Sequence, residues 1–187
     1  MVTREAVVLR RATEVDVPTL LELIRGIAEY ERLSHEVEAT ESLLRTHGFG
    51  PRPIFEAVLA EVVEPERLPG GGGPRGGVVG TPPPFGNQAV GFALYFFTFS
   101  TFKARPTLYL EDLFVRPEAR GRGIGRRLLA RLARTAVERD CGRMEWSVLD
   151  WNTPARDFYF KLGAVAMDEW TVFRMTPEAF GRLADEA

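Results

Sequence analysis

LYLEDLFVRPEARGRGIG, residues 108–125, is the stretch of this sequence that decides the fold. An apolar run typical of a β-strand ends at Val115, a short turn with Pro117 follows, and a glycine-rich segment opens into a helical pattern. Glycines let backbone N–H groups approach a phosphate closely, and the N-terminus of the following helix adds partial positive charge. The order of strand, glycine-rich turn and helix therefore predicts an anion-binding loop.

The spacing of the glycines separates this loop from two other phosphate-binding loops. It reads Gly-x-Gly-x-Gly from Gly121, and Arg126 stands where a dinucleotide-binding G-x-G-x-x-G motif needs its third glycine. No Gly-Lys-Ser/Thr follows, which excludes a P-loop. A glycine-rich turn that only closes a helix onto a sheet is the structural alternative.

Length and composition limit the class of protein. The chain has 187 residues, 45% of them hydrophobic, and a formal net charge of −2. The length fits one domain over residues 1–187, and the near-neutral charge disfavours a nucleic-acid partner. No uncharged run reaches the roughly 18 residues of a membrane span, and the N-terminus does not resemble a secretory signal. We therefore expect a cytoplasmic protein with no membrane partner.

Cysteine and histidine are scarce in this sequence. Cys141 is the only cysteine, so no intrachain disulfide can form, which suits a reducing compartment. His35 and His47 are the only two histidines, and they are too isolated to suggest a metal cluster. We expect no metal site.

Periodicity along the chain predicts the order β-α-α-β-β-β-α-β-α-β-α around one sheet. We expect strands over 5–11, 54–63, 88–99, 107–115, 143–150 and 170–175. We expect helices from a Thr13-x-x-Asp16 capping box to about 33, over 40–47, from 124 to about 139, from a Thr153 cap to about 162, and over 177–186. Residues 64–87 hold six prolines and many glycines, which predicts a flexible loop.

A second motif lies downstream of the glycine loop. Residues 149–164 read LDWNTPARDFYFKLGA, in which a strand end and an asparagine precede a capped helix that carries Phe-Tyr and ends in Leu-Gly-Ala. The two motifs together resemble the signature of the GNAT superfamily of N-acetyltransferases. The resemblance implies the GNAT fold, an α/β fold with a central mixed, mostly antiparallel sheet flanked by helices.

The resemblance narrows to the diamine acetyltransferase family, which includes the spermidine/spermine and the thialysine N-epsilon-acetyltransferases. Five segments carry it: IAEYERLSHEV from residue 27, HGFGPRPIFEAVLAEV from 47, VGFALYFFTFSTFKAR from 90, LYLEDLFV from 108 and VLDWN from 148. The polyamine branch is expected to have an acidic residue near position 100. Here Ser100 stands at that place, so the chain looks more like the thialysine branch.

The resemblance implies that acetyl-CoA is the co-substrate and names a set of residues around it. The backbone of Leu113, Phe114 and Val115 is expected to pair with the pantetheine arm. The pyrophosphate is expected to lie against the loop and the arginines that follow the strand: Arg120, Gly121, Arg122, Gly123, Ile124, Gly125 and Arg126. Asn152 with Thr153, Pro154 and Ala155 matches another CoA-contact segment, although Asn152 could equally be a helix cap.

The resemblance also assigns the chemistry of amine acetylation. An alkyl amine has a pKa of about 10.4 and arrives protonated, so a base is needed. Glu111 is the candidate base, directly or through a water, and the alternative is that it only attracts the cation. Tyr159 is the candidate acid for the leaving thiolate, or else an aromatic of the core. The remaining expected amine contacts are Tyr30, Glu31, Glu145, Trp146 and Ser147.

Three functions stay open at this point. The first transfers acetyl from acetyl-CoA to a primary amine of a small molecule, such as a thialysine-like amino acid, a diamine or a polyamine, by direct attack in a ternary complex. The second acetylates a protein N-terminus or lysine, and the third binds acetyl-CoA without turnover. The resemblance implies a homodimer.

Overall fold

The structure is a computed structural model that describes residues 6–63 and 88–186. It divides into two compact units, Met1–Ser147 and Val148–Ala187. The predicted flexible loop over 64–87 lies outside the described residues, and the expectation of one domain over the whole chain stays a prediction.

The first unit is built on a five-stranded sheet whose spatial order, β1-β2-β3-β4-β5, is also the order along the chain. The strands are β1 (Ala6–Arg11), β2 (Glu56–Val63), β3 (Gln88–Ser100), β4 (Arg105–Val115) and β5 (Arg143–Trp146). Neighbours from β1 to β4 are antiparallel, and β5 runs parallel to β4. The expected mixed, mostly antiparallel sheet is confirmed, although β5 is shorter than the predicted 143–150.

Helices α1 (Val17–Tyr30) and α3 (Ile124–Glu138) cover the two faces of this sheet, and α2 (Glu41–Phe49) packs against α1. On one face, Leu20 and Leu23 of α1 pack with Leu59, Phe92 and other apolar side chains of the strands. The opposite face is covered by α3, which buries five apolar side chains: Ile124, Leu128, Leu129, Leu132 and Ala136. Burial on both faces explains the near-continuous apolarity of β3.

The entry to α1 is fixed by charge as well as by packing. Asp16 accepts a hydrogen bond from the backbone N–H of Thr13 at 2.8 Å, as the capping box predicts. Arg10 of β1 donates to both oxygens of Asp16, at 2.6 and 2.7 Å, and reaches Glu61 of β2 at 2.7 Å. The same guanidinium holds the pKa of Asp16 well below its usual range. This network ties the first two strands to the start of α1.

The second unit holds two helices, α4 (Thr153–Lys161) and α5 (Pro177–Ala184). The predicted strand over 170–175 is wrong, because these residues have no regular secondary structure. Val172 and Phe173 are 84% and 90% exposed. Their β-propensity alone does not form a strand, which needs a neighbour to share backbone hydrogen bonds.

The cap of α4 also differs from the prediction. Asn152, not Thr153, is the N-cap, and its side chain accepts a hydrogen bond from the Ala155 N–H at 3.3 Å. Asparagine is as good an N-cap as serine and better than threonine, so the choice follows known preferences. At the other end, Gly163 has a φ of 88°, the left-handed conformation expected after the helix.

Candidate active site

A β-bulge interrupts β4 where the sequence places its consecutive carboxyls. Leu110 pairs with Tyr95 of β3 and Asp112 pairs with Leu94, so Glu111 is the extra residue between two successive partners. A bulge of this kind re-aims side chains and breaks the strict alternation of the strand. Asp112 shares its face with Leu94 and Phe114, the face covered by α1.

The bulge coincides with the point at which β4 and β5 part. The two strands pair from Thr107 with Arg143 to Leu110 with Trp146, and no strand among the described residues pairs with this edge of β4 beyond Leu110. The edge that runs from Glu111 to Val115 therefore offers backbone groups to a ligand that lies along it like a strand.

Three carboxyls meet near the bulge. Glu111 is exposed, Asp112 is partly buried, and Glu31 caps the C-terminal end of α1. Burial, then repulsion by Glu111 and Glu31, raises the pKa of Asp112 from 3.8 to about 7. Burial also raises the pKa of Glu31. The arrangement concentrates negative charge in a place suited to a cation, and it leaves one carboxyl able to exchange a proton near neutral pH.

The glycine loop after β4 has the backbone that an anion site needs. Gly121 and Gly123 both have a φ of 75°, a conformation that favours glycine. A Cβ built on either one meets no atom within 4 Å, so open space lies in front of the loop. The loop leads into the N-terminus of α3, whose first amides have no acceptor within the helix. The residues present therefore fit a phosphate group.

Arg120, the first arginine of the loop, turns toward α1. Its guanidinium lies 4.4 Å from the centre of the Tyr30 ring and 5.8 Å from that of Phe114. Its Nε donates to the carbonyl of Val115 at 2.9 Å. Arg120 thus connects the loop to the end of α1, a connection that its expected role in charge attraction did not include.

The side chains expected on β5 have identifiable neighbours. Glu145 pairs with Arg143 at 2.9 Å, and the Ser147 hydroxyl lies 3.1 Å from that of Tyr109 on β4. Trp146 is the residue opposite Leu110, the last pair before the bulge. Glu145 therefore lies one pair before the point where the two strands part, Trp146 lies at that point, and Ser147 lies just beyond it.

The second unit carries the other expected site residues. Asn152 is 6% exposed and caps α4, which begins with Thr153, Pro154 and Ala155. Tyr159 lies on the same helix and is partly buried, with its ring centre 5.3 Å from that of Phe158. Asn152 therefore acts as a helix cap, and its expected contact with CoA stays a prediction.

Two absences concern the described residues alone. Within 6–63 and 88–186, no three side chains of histidine, cysteine, aspartate or glutamate come together in a way that could hold a metal ion. None of the helices in these ranges is both long and apolar enough to cross a membrane.

Comparison with known proteins places this geometry in a family. The model of the acetyltransferase (GNAT) family matches residues 72–164. Thialysine N-epsilon-acetyltransferase from Bos taurus is 40% identical over 181 residues, which cover 95% of this chain and 97% of that protein. L-ornithine N5-acetyltransferase from Arabidopsis thaliana is 36% identical and covers 91% of this chain, with 85% of its own length matched.

A solved structure agrees at the level of the fold. An integron cassette protein from the mobile metagenome of V. cholerae has a TM-score of 0.70 and 24% identity, and the match covers 95% of this chain and 97% of that one. The chain therefore belongs to the GNAT family of acetyltransferases, and it is an N-acetyltransferase. The expectations of family, fold and enzyme class are confirmed.

Proposed function

We propose that this enzyme transfers the acetyl group of acetyl-CoA to a primary amine of a small molecule. The observation that carries the proposal is the bulge of β4. It lies where the part of β4 without a β5 partner begins, and its two residues, Glu111 and Asp112, precede the glycine loop. A cation-attracting group and an anion-binding loop on one short segment suit a reaction between an ammonium compound and a phosphorylated acetyl donor.

Acetyl-CoA supplies the acetyl group as a reactive thioester, and this chain offers two places to hold it in the first unit. The backbone of Leu113, Phe114 and Val115 would hydrogen-bond the pantetheine arm along the free edge of β4. The amides from Gly121 to Arg126 would cradle the pyrophosphate at the N-terminus of α3. In the second unit, the segment from Asn152 to Ala155 would add a further contact, as the family resemblance implies.

The acceptor amine would bind among carboxylates and aromatic rings. Glu31 and Glu111 would attract its ammonium group, and the ring of Tyr30, held by Arg120, would form a wall beside it. Glu145, Trp146 and Ser147, at the end of β5, would border the same space. Glu31 is partly buried, and the lower local dielectric strengthens the attraction of its carboxylate for a cation.

Tyr159 would donate the proton that the departing sulfur needs. A phenol with a pKa near 10 stays protonated at neutral pH and can act as a general acid. Direct attack of the amine in a ternary complex is preferred to an acetyl-enzyme, because the single cysteine, Cys141, lies in the turn between α3 and β5 and not on the bulged segment.

The acceptor is proposed to be a thialysine-like amino acid, with diamines and polyamines as further members of the class. The names of the curated relatives support this choice, since they include a thialysine and an ornithine acetyltransferase. Ser100 supports it as well, because an acidic residue is expected there in the polyamine branch. Two other functions compete with it: acetylation of a protein N-terminus or lysine, and binding of acetyl-CoA without turnover.

A homodimer is proposed from the family resemblance. The C-terminal segment supports it, because eight of its large apolar side chains are exposed and exposed apolar surface often marks protein contacts. The exposed side chains are Val165, Met167, Trp170, Val172, Phe173, Met175, Phe180 and Leu183. Cytoplasmic location remains a prediction from the sequence.

The proposal is tested by acetyl-CoA-dependent release of free thiol with thialysine, lysine, ornithine, putrescine, spermidine and a lysine peptide. We expect turnover of a small amine, and we expect Tyr159→Phe to lower kcat by about 10²–10⁴-fold, the usual contribution of a general acid, while acetyl-CoA still binds. Preference for the peptide would favour the second function. Bound acetyl-CoA without any turnover would favour the third.

A further inference from the structure

The first observation behind the inference is the pairing of β4 on either side of the bulge. Leu110 pairs with Tyr95 and Leu113 pairs with Ala93, so these two residues of β4 share one face of the sheet. Two residues, not one, lie between them, and both carry carboxyls: Glu111 and Asp112. In a regular strand, one of these two side chains would face α3. The bulge breaks the regular alternation, so this constraint does not hold here.

The second observation is how differently the two carboxyls are surrounded. Glu111 is the unpaired residue and is exposed. Asp112 is partly buried and lies beside Leu94 and Phe114, which are 7% and 5% exposed. A carboxyl in apolar surroundings holds its proton more tightly than one in water, because the charged form is desolvated.

The two charged groups that act on the carboxyl of Asp112 are both carboxylates. Glu111 on its own strand and Glu31 at the end of α1 repel its ionised form, and β3 contributes only the apolar Leu94 opposite. Arg120, on the α1 side, is turned to the Tyr30 ring and the Val115 carbonyl. Among the described residues of the first unit, none forms an ion pair or hydrogen bond with the carboxyl of Asp112.

We propose that Asp112 is the group that takes the proton from the acceptor ammonium, while Glu31 and Glu111 hold that ammonium beside it. The inference rests on the proposed function and decides between the two roles left open for Glu111, in favour of attraction. Asp112 is thereby a catalytic residue that the sequence reasoning did not select.

The proton balance of the step is simple. An ammonium group and the Asp112 carboxylate become an amine and a carboxylic acid, and Asp112 then releases that proton to solvent once per turnover. The amine nitrogen forms its bond to the acetyl carbon as the carbon–sulfur bond breaks. Tyr159 gives its phenolic proton to the sulfur and regains one from the nitrogen as the amide forms.

Environment makes Asp112 better suited to this step than an ordinary carboxyl. Burial and the two neighbouring carboxylates raise its pKa to about 7, against 3.8 for an aspartate in water. Its proton affinity is then roughly a thousandfold higher than that of an aspartate in water. This brings it closer to the proton affinity of an alkyl amine, whose pKa is about 10.4. A base whose pKa lies near the working pH combines availability with strength.

The test is the pH dependence of kcat/KM with the best amine substrate, for wild type and three variants. Wild type is expected to lose kcat/KM below about pH 7 as the carboxyl cluster takes up a proton, with one apparent pKa for the coupled groups. This decline toward low pH is the acidic limb of the profile. Asp112→Asn should lack the acidic limb, and its kcat/KM at pH 7 should be about 10²–10⁴-fold lower than that of wild type. Asp112→Glu, which keeps a carboxyl, should restore part of the acidic limb and part of kcat/KM.

Glu111→Gln separates the two roles. We expect it to raise KM for the amine and to keep the limb, moved to lower pH because one repelling charge is gone. Glu138→Gln is the control, since it removes one exposed carboxylate at the C-terminal end of α3, outside the proposed site and dimer surface, and should behave as wild type. Circular dichroism confirms that each variant folds.

A second readout does not depend on activity. Carboxyl ¹³C resonances of protein labelled at aspartate should include one that titrates near neutral pH and is absent from Asp112→Asn.

Two results would overturn the inference: a limb that survives in Asp112→Asn, or one that disappears in Glu111→Gln while Asp112→Asn stays near wild type. Lack of turnover of every amine by wild type would refute the proposed function itself, and the role of Asp112 with it.

Discussion

Replacing Asp112 by asparagine should stabilise the fold at neutral pH, in contrast to most changes of a partly buried polar residue. The folded state holds the proton of Asp112 up to about pH 7, whereas an unfolded aspartate loses it near 3.8. Because the folded pKa is the higher one, Asp112 contributes fully to stability below the unfolded pKa, and this contribution is lost as pH rises through the folded pKa.

The size of the effect follows from the width of this window. One pKa unit corresponds to about 1.4 kcal/mol, so the penalty that wild type accumulates between pH 5 and pH 7 is up to about 3 kcal/mol. Asparagine has a similar shape and does not ionise. The advantage of Asp112→Asn in free energy of unfolding should therefore grow by this amount over these two pH units and then level off.

Urea unfolding, followed by far-ultraviolet circular dichroism at half-unit steps from pH 5 to pH 8, measures this difference directly. Glu138→Gln is again the control and gives the baseline for the loss of one exposed carboxylate. A pH-independent difference for Asp112→Asn, or a variant less stable than wild type at pH 8, would refute the electrostatic argument.

Three further predictions concern the loop, its arginine and the first helix. Gly123→Ala should cost about 1–2 kcal/mol of stability because its φ is 75°, and should weaken acetyl-CoA binding measured by calorimetry; unchanged affinity would argue against the proposed pyrophosphate site. Arg120→Lys should raise KM for both substrates, because it loses the planar contact with Tyr30, whereas an effect on acetyl-CoA alone would leave charge attraction as its role. Asp16→Asn should lower stability at pH 7 by about 2 kcal/mol, since it breaks a charged pair with Arg10. This deficit should shrink in strong acid, where wild-type Asp16 also loses its charge as pH falls through its depressed pKa.

The parts of the fold that follow from local pattern were predictable from the sequence. The four apolar runs that become β1 to β4 and the helical spacing of α3 are strong periodic signals, and the two motifs suffice to identify the family. The strand over 170–175 failed for a reason outside local pattern. A run such as WTVFRM has the composition of a strand, but a strand also requires a hydrogen-bonding neighbour, which a single segment does not encode.

The expected site residues stay predictions, and their arrangement in the first unit did not follow from the sequence. Alternation along a strand puts Glu111 and Asp112 on opposite faces, and the sequence contains no glycine or proline at this point to announce a bulge. The sequence pattern therefore gives no reason to choose Asp112 over Glu111. The direction of Arg120 was equally hidden, since a long side chain beside a glycine loop can turn toward the ligand or, as here, toward α1.

The most direct test of the central claim is the rate of acetyl-CoA-dependent thiol release with thialysine, measured beside spermidine and a lysine peptide, for wild type and Tyr159→Phe. The account predicts that the small amino acid is turned over with the highest kcat/KM and that the variant loses most of kcat while acetyl-CoA binding persists. Equal activity of Tyr159→Phe and wild type, or acetylation of the peptide alone, would contradict it.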